Sequence, residues 1–279
     1  MTELQKKSFE LLEIFVAVCE KWNIPYFLVC GSALGAVKYG GFIPWDDDID
    51  VGLLRSDYNR FLEIAPDELP QWCFLQNYMT DPNYPQTYSK LRNSNTTFIE
   101  TDFAQLDINH GIYLDIFPID GCPINKQEMK IFEIKRKLYA WVRNSVYVNH
   151  SNAKIHNRNK VLRHLGVHKI AYRAHVWLER LYSRYSPEDS DRWCNYGNWQ
   201  GELEYAPKWH YGNGTVAKFE GLAVRIPENY DAYLTQKYGD WRADPPEEKQ
   251  KTHHLGIIID TEKPYTHYWN VGDFVRRSE

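Results

Sequence analysis

The start of the chain has the hydrophobic periodicity of an amphipathic helix. Apolar residues recur at helical spacing and would share one face, which comprises Leu4, Leu11, Phe15, Val18 and Trp22. Thr2 and Gln5 have the spacing of a capping box at the start of such a helix, and Pro25 lies beyond its end. The pattern therefore predicts a first helix that buries one face.

Short apolar runs then alternate with helical segments. The wholly apolar run at residues 26–30 predicts a buried strand, and residues 33–39 predict a short helix directly after it. Further strands are predicted at residues 48–54, 72–76, 87–92, 96–100, 112–117, 215–219 and 222–226. This alternation predicts an α+β fold, with a mixed β-sheet core flanked by helices.

The middle of the chain is helical and strongly basic. Residues 126–184 contain 14 lysines and arginines, three glutamates and no aspartate, which is a net charge of +11. Helical runs are predicted at 131–148 and 169–185, and the polar stretch 149–159 is expected to join them. The rest of the chain must be acidic, because the whole protein has a net charge of -4.

These changes divide the chain into three predicted parts. A core occupies residues 1–125, a basic helical insertion residues 126–200, and a C-terminal part that returns to the core residues 201–279. The last part contains a predicted helix at 228–238, which Gly239 would end.

The composition is that of an ordinary globular protein. Of the 279 residues, 43% are hydrophobic and 25% are charged, which excludes a disordered or collagen-like chain. Five cysteines without a C-x-x-C pair indicate neither a disulfide framework nor a cysteine-ligated zinc site. No apolar run approaches the ~18 residues of a membrane span, and no secretory leader is recognisable, so we expect a cytoplasmic protein.

A glycine–serine pair follows the first predicted strand. Gly31 and Ser32 open the short helix, where backbone N–H groups favour an anion. The glycine would let a phosphate approach closely, and the serine hydroxyl would add a hydrogen-bond donor. The pattern predicts a phosphate-binding site.

Three aspartates are candidate metal ligands. Asp48 and Asp50 alternate along the second strand, so they would point to the same face of the sheet. Adjacent carboxylates repel each other unless a cation lies between them, and ligation by oxygen alone suits Mg²⁺ or Mn²⁺. Asp115 interrupts the apolar 112–117 strand, which we expect Pro118 and the Asp120-Gly121 turn to end. Beside Asp48 and Asp50, it would complete a site for one or two metals of the kind that serves phosphoryl transfer.

The order of these motifs resembles that of the nucleotidyltransferase superfamily. Residues 35–38 and 41–50, which end in Trp45-Asp46-Asp47-Asp48-Ile49-Asp50, are similar to the LicD family of phosphocholine and related phosphotransferases. The similarity also includes residues 90–92, 96–100, 111–120 and, more loosely, 233–246. It covers most of residues 4–125 and 215–255.

This resemblance implies a nucleotidyltransferase-like core and a Mg²⁺-dependent enzyme. Such an enzyme would move a phosphorylated headgroup from a CDP-linked donor to a hydroxyl of a cell-surface glycan or its lipid-linked precursor, and would release CMP. By family analogy Asp48 and Asp50 are metal ligands, Asp46 lies close by, and Asp115 is a third acid or base. Choline, ethanolamine, glycerol, ribitol and sugar phosphates all stay open as the headgroup.

Several cations are candidates for holding the donor diphosphate. Lys38 lies between the two motifs, and Lys90 and Arg92 alternate on one strand, so both could reach the same phosphates. Trp45 would either stack on a base or a quaternary ammonium, or pack beneath the aspartate loop.

The basic block suggests an anionic partner, and charge alone leads us to expect peripheral contact with the inner membrane face. Two alternatives remain at this stage. One is a nucleotidyltransferase that moves a nucleoside monophosphate onto a small hydroxyl compound and releases pyrophosphate. The other is a non-catalytic scaffold that binds anions through the basic helices; nucleic acid is not the partner we expect.

Overall fold

A mixed sheet with helices packed around it organises the fold. The computed structural model describes residues 1–123, 125–146, 152–197, 201–252 and 256–269, with Glu202 by its backbone alone. The helices are α1 (Glu3–Lys21), α2 (Cys30–Lys38), α3 (Arg55–Glu68), α4 (Lys126–Arg143), α5 (Ala153–His164), α6 (Ala171–Tyr182), α7 (Lys208–Tyr211) and α8 (Tyr230–Tyr238). The strands are β1 (Phe27–Leu28), β2 (Asp50–Leu54), β3 (Cys73–Gln76), β4 (Ser89–Asn93), β5 (Thr97–Glu100), β6 (Ile112–Gly121), β7 (Arg192–Cys194), β8 (Tyr205–Pro207), β9 (Thr215–Phe219), β10 (Leu222–Ile226) and β11 (Gly256–Asp260).

The central sheet has the strand order β1-β2-β6-β4-β3. Strands β2 and β6 run parallel, whereas β1, β4 and β3 pair antiparallel to their neighbours. Near the end of β6 the sheet is extended by β7, which in turn pairs with β8. Two small antiparallel pairs lie outside this sheet, β9 with β10 and β5 with β11. The α+β prediction is confirmed.

The first helix packs its predicted face against the sheet. Thr2 and Gln5 form the capping box, which confirms the predicted start. Leu11, Phe15 and Val18 are buried in the largest core cluster together with residues of β2, β4 and β6. Trp22 instead follows the helix as its C-terminal cap and is exposed.

Strand β6 is longer than the sequence predicted. We expected Pro118 and the Asp120-Gly121 pair to end it, and that expectation is wrong. The Asp115 N–H points toward β2, so the backbone nitrogen of Pro118 points to the opposite side. On that side, the pairing with β4 ends at Ile116 and the pairing with β7 starts at Asp120, so neither strand pairs with β6 at Pro118. A proline fits because no ladder hydrogen bond is lost at that position.

The basic segment contains one more helix than we predicted. Helices α4 and α6 confirm the two predicted runs, except that residues 147–148 lie outside the described part of the chain. The stretch predicted as a polar connection contains α5, which Asn152 caps by accepting hydrogen bonds from two backbone N–H groups. Its two buried positions are Asn159 and Leu162, and the polar residue at one of them concealed the helical period.

The C-terminal elements follow the prediction closely. Strands β9 and β10 have the predicted bounds and pair antiparallel, and α8 ends at Gly239, whose φ of 69° lies in the left-handed region that glycine tolerates. The short strands β7, β8 and β11 were not predicted. The proposed boundaries between the three parts of the chain stay a prediction. Among the described helices, none is long and apolar enough to cross a membrane.

Candidate active site

A large cleft opens beside the edge of the sheet where β2 begins. Its volume is about 1360 Å³, and α2, α4, α5 and the segment after α8 contribute to its walls. Seven of the residues predicted from the sequence line it: Gly31, Lys38, Trp45, Asp46, Asp48, Asp50 and Asp115. Ser32, Lys90 and Arg92 do not line the cleft themselves.

Three charged residues form a row across adjacent strands at the base of this cleft. Asp115 in β6 is the register partner of Asp50 in β2 on one side and of Lys90 in β4 on the other. Because residues in register point to the same face of a sheet, their side chains are neighbours. Lys90 Nζ lies 2.7 Å from Asp115 Oδ1. Its ammonium also lies 3.3 Å from the centroid of the Tyr113 ring.

Asp115 is an unusual carboxylate because it is almost completely buried. Burial raises its pKa above the ordinary aspartate value, and the Asp48 carboxylate acts in the same direction. The ion pair with Lys90 opposes this shift without cancelling it. A carboxylate held in this way is a better proton acceptor than an ordinary surface aspartate.

The acidic loop (Asp46, Asp47 and Asp48) lies directly before β2. One carboxylate oxygen from each residue lies within 4.8 Å of the others, a spacing that can hold a metal ion. Oxygen-only donors are those that hard divalent cations prefer. The predicted strand began at residue 48, but β2 begins at Asp50, so Asp48 belongs to the loop and not to the strand. Asp47 joins the cluster, although the sequence had pointed to Asp46, Asp48, Asp50 and Asp115.

Gly31 gives the acidic loop the space it needs. A Cβ atom at Gly31 would lie 2.9 Å from Asp46 Oδ2, so any larger residue would push this carboxylate away. The preceding residue, Cys30, has a φ of 52°, which only a minority of non-glycine residues adopt. Its N–H donates to the Tyr233 hydroxyl at 3.1 Å, which helps to hold the start of α2 in place. The glycine thus admits a carboxylate, and its predicted contact with a phosphate stays a prediction.

Helix α1 supports the acidic loop from below. Gln5 Nε2 donates to the backbone carbonyl of Asp46 at 2.7 Å, while Gln5 Oε1 accepts the capping hydrogen bond from Thr2 N. Ser8 Oγ donates to the carbonyl of Asp47. The sequence revealed the cap but contained no signal for these long-range contacts.

Ser32 and Lys38 contact protein groups near the acids. The Asp50 backbone N–H donates to Ser32 Oγ at 2.8 Å, so the buried serine fixes the start of β2. Lys38 Nζ lies 2.6 Å from Asp244 Oδ1 and donates to the carbonyl of Trp241, which ties α2 to the segment after α8. Trp45 is half-buried in the cleft wall, with its ring edge-on to Tyr39 at a centroid distance of 6.1 Å.

Arg92 is placed in the protein interior, outside the cleft. It donates to Gln76 Oε1 at 2.7 Å and to the carbonyl of Gly111 at 2.8 Å, and its guanidinium lies over the Tyr113 ring. Lys90 and Arg92 share a face of β4, as predicted, but contacts within the protein surround both side chains. Neither is exposed to a ligand in the cleft.

Three arginines that the sequence did not single out face the cleft from the basic helices, namely Arg136, Arg143 and Arg158. Arg143 at the end of α4 and Arg158 in α5 both line it. Each guanidinium donates to the side chain of the following asparagine, Asn144 or Asn159. Within the described residues, neither has a carboxylate within ion-pair distance, in contrast to Arg136, which is paired with Glu133. Among the described residues, the cleft thus combines two arginines that have no ion-pair partner with a cluster of acids.

Comparison with known proteins identifies this arrangement. Residues 23–146, which contain α2, the acidic loop and β6, match the LicD/FKTN/FKRP nucleotidyltransferase domain. Over these residues, which are just under half of its length, the chain is similar to the LicD family. The lipopolysaccharide cholinephosphotransferase LicD of Haemophilus influenzae is 28% identical to this chain over 263 residues, which are 91% of this chain and 96% of the relative.

Two further relatives match shorter segments of the chain. Human ribitol 5-phosphate transferase FKRP is 42% identical over 48 residues, which are 17% of this chain and 10% of the relative. The mouse ribitol-5-phosphate transferase FKTN is 30% identical over 61 residues, 22% of this chain and 13% of the relative. Similarity to these two proteins is therefore confined to a small part of each.

Proposed function

We propose that this LicD-like phosphotransferase moves a phosphorylated headgroup from a CDP-linked donor to a hydroxyl group of a cell-surface glycan or its lipid-linked precursor. The observation that carries the proposal is the row Asp50–Asp115–Lys90 at the base of a cleft whose wall is the acidic loop. The similarity to a lipopolysaccharide cholinephosphotransferase and to two ribitol phosphate transferases supports the reaction class.

Mg²⁺ is the cofactor that this set of carboxylate ligands fits best. The acidic loop would hold it, with Asp50 and Asp115 beside it, because these residues offer carboxylate oxygens alone. When bound, the ion would neutralise charge on the phosphates of the donor. Mn²⁺ has the same ligand preference and would serve in its place.

The residues of the chain can account for the remaining chemistry. Arg143 and Arg158 would bind the donor phosphates from the opposite wall, since a guanidinium forms strong hydrogen bonds with phosphate oxygens. Asp115 would accept the proton of the acceptor hydroxyl, because its carboxylate faces the cleft beside Asp50. The acceptor oxygen would then bond to the distal phosphorus, the bond between that phosphorus and the bridging oxygen would break, and CMP would leave.

Phosphocholine is the headgroup we propose first. The relative that matches most of the chain is a cholinephosphotransferase, and aromatic side chains attract quaternary ammonium groups. The cleft is lined by Tyr39, Trp45, Tyr88, Tyr182, Tyr196, Tyr238 and Trp241. Ribitol phosphate is the second headgroup to examine, because FKRP and FKTN are ribitol phosphate transferases.

Thermal unfolding with candidate donors tests this proposal. CDP-choline, CDP-ribitol, CDP-glycerol and CTP would each be added with and without Mg²⁺ to the wild type and to Asp48→Asn. A ligand at 100 times its dissociation constant adds about 2.7 kcal/mol of stability, which is a measurable shift in melting temperature. We expect a Mg²⁺-dependent shift with a CDP-linked donor that Asp48→Asn lacks. A shift with CTP alone would favour nucleotidyl transfer instead.

A further inference from the structure

Helix α4 exposes apolar side chains on the face directed away from the protein. Ile131, Ile134, Leu138 and Trp141, here called the outer stripe, retain 55%, 67%, 53% and 39% of their accessible surface. Their spacing of three, four and three residues places them on one side of the helix. The opposite side, with Phe132, packs in the core of the basic segment. An ordinary surface helix would have polar residues where the outer stripe lies.

Lysines border the outer stripe, and its segment of the chain contains few acids. Lys130, Lys135 and Lys137 are all exposed on α4. Of the three glutamates in residues 126–184, Glu133 is paired with Arg136 and Glu179 with Arg55, which leaves Glu128 near the helix start. The segment as a whole has a net charge of +11.

The same segment exposes further apolar side chains. They are Val161, Leu165, Ile170, Tyr172 and Trp177. Trp177 in α6 lies beside α4, with its ring 5.4 Å from that of Tyr139 between centroids. Exposed apolar residues of this number in one segment mark an interaction surface.

We propose that the outer stripe docks on the surface of an anionic lipid bilayer. A helix with an apolar face bordered by lysines is the pattern of a segment that lies in the membrane interface, where apolar groups enter the acyl boundary and lysines contact anionic headgroups. A second copy of the chain fits this surface poorly, because it would bring two segments of strong positive charge together. Nucleic acid would attract the lysines but leaves the aliphatic stripe without a partner.

Docking in this orientation has a consequence for the cleft. Arg136, Ala140 and Arg143 line the cleft from the side of α4 that is turned away from the outer stripe. A helix is about 10 Å across, so the cleft would lie about one helix diameter from the lipid surface. A lipid-linked acceptor could then enter it. This inference locates the membrane contact that the proposed function needs, but its physical basis is the exposed stripe and not the transfer reaction.

Vesicle co-sedimentation of the full chain tests the proposal. Vesicles of mixed phosphatidylglycerol and phosphatidylcholine would be compared with vesicles of phosphatidylcholine alone, for the wild type and for Ile134→Ser/Leu138→Ser. Both positions are exposed, and equal thermal unfolding of variant and wild type would verify the fold. Val216→Ser is the matched control, because Val216 is 66% exposed on β9 but lies outside the basic segment.

We expect the wild type and Val216→Ser to bind the anionic vesicles equally and the stripe variant to bind at least about tenfold more weakly. Equal binding of the stripe variant would overturn the proposal and leave charge alone as the attraction. Equally strong binding of the wild type to neutral vesicles would overturn the anionic specificity. A dimer that the stripe substitutions dissociate, seen by sedimentation equilibrium, would assign the surface to a second copy.

The stripe variant also separates this inference from the proposed function. Its melting temperature should still rise with a CDP-linked donor and Mg²⁺, because no stripe residue lines the cleft within the described part of the chain. If no donor binds to any variant but the stripe still governs vesicle binding, the proposed function fails and the docking surface stands.

Discussion

Strand β6 carries two buried aspartates whose surroundings differ in kind. Asp115 and Asp120 are an odd number of residues apart and therefore lie on opposite faces of the sheet. Asp115 faces the cleft, and Lys90 lies 2.7 Å from its Oδ1. Asp120 accepts two hydrogen bonds from Arg55, at 2.7 and 2.6 Å, and Arg55 is also paired with Glu179 of α6.

The difference separates a reactive carboxylate from a structural one. A guanidinium engages both oxygens of Asp120 and fixes them, whereas a lysine ammonium is a point charge that pairs with one oxygen of Asp115. The Arg55 network joins α3, β6 and α6, so it holds the basic helices against the sheet. At the cleft the same strand presents Asp115, whose pKa is raised by burial and, to a lesser extent, by the Asp48 carboxylate.

The largest expected effect is the loss of activity when an acid of the cleft is neutralised. Asp48→Asn should lower the transfer rate by about 10³-fold or more, equivalent to roughly 4 kcal/mol of transition-state stabilisation. Steady-state kinetics with a CDP-linked donor would measure it. Asp67→Asn, at an exposed position in α3, serves as the control and should be fully active. An active Asp48→Asn would remove the acidic loop from the chemistry.

Asp120→Asn should lower the stability of the protein and leave its activity unchanged. Loss of this charge leaves buried Arg55 with Glu179 as its remaining acidic partner, and breaking a buried ion pair costs about 3–5 kcal/mol. We expect about 3 kcal/mol lower stability in urea unfolding, because Glu179 compensates in part. Activity per folded molecule should be unchanged. A large loss of activity in the folded variant would mean that the two aspartates do not differ as described.

Substitution of the arginines in the basic wall should weaken donor binding more than it slows chemistry. A hydrogen bond to a charged group contributes about 1.5–3 kcal/mol, so Arg143→Gln and Arg158→Gln should each raise KM for the donor about 10- to 100-fold. Arg173→Gln, at an exposed position of α6, is the control. If all three variants have the wild-type KM, the basic helices do not contact the donor.

The smallest effect concerns the pH dependence of stability in the helical region. Burial lowers the pKa of His175 to about 3, so this histidine stays neutral in the folded protein, while in the unfolded chain it gains a proton near pH 6.5. The contribution of neutral His175 to the free energy of unfolding is therefore fully present above about pH 6.5 and is lost as the pH falls. In the His175→Phe variant, the free energy of unfolding in urea should fall less steeply as the pH drops below 6.5. The slope should change by at most about 1.4 kcal/mol per pH unit. An unchanged slope would contradict this.

The sequence was most informative where function depends on local spacing. Asp48 and Asp50 could be selected because neighbouring carboxylates repel each other unless a cation lies between them, and Asp115 because a charge in an apolar strand is costly without a partner. Asp120 was misjudged as part of a turn, since its partner Arg55 is 65 residues away and invisible to local patterns. Asp47 was missed because strict alternation was assumed for a segment that precedes the strand.

The choice of cations was limited in the same way, because tertiary contacts decide which of them face the cleft. Lys90 and Arg92 were chosen for their position on one strand, but tertiary contacts direct both into the protein interior. Arg143 and Arg158 lie in a basic segment where no local signal distinguishes them from twelve other lysines and arginines. Only the packing of α4 and α5 beside the cleft separates them.

The nucleotide product is the most direct test of the central claim. The full chain would be incubated with Mg²⁺, a glycan acceptor and CDP-choline labelled at the phosphate next to choline, and the products separated by chromatography. The account predicts that the label enters the glycan together with choline, that unlabelled CMP is released, and that Asp115→Asn does neither. Two results would contradict it. One is label that stays on the nucleotide, and the other is an enzyme that releases pyrophosphate from CTP and no CMP from CDP-choline.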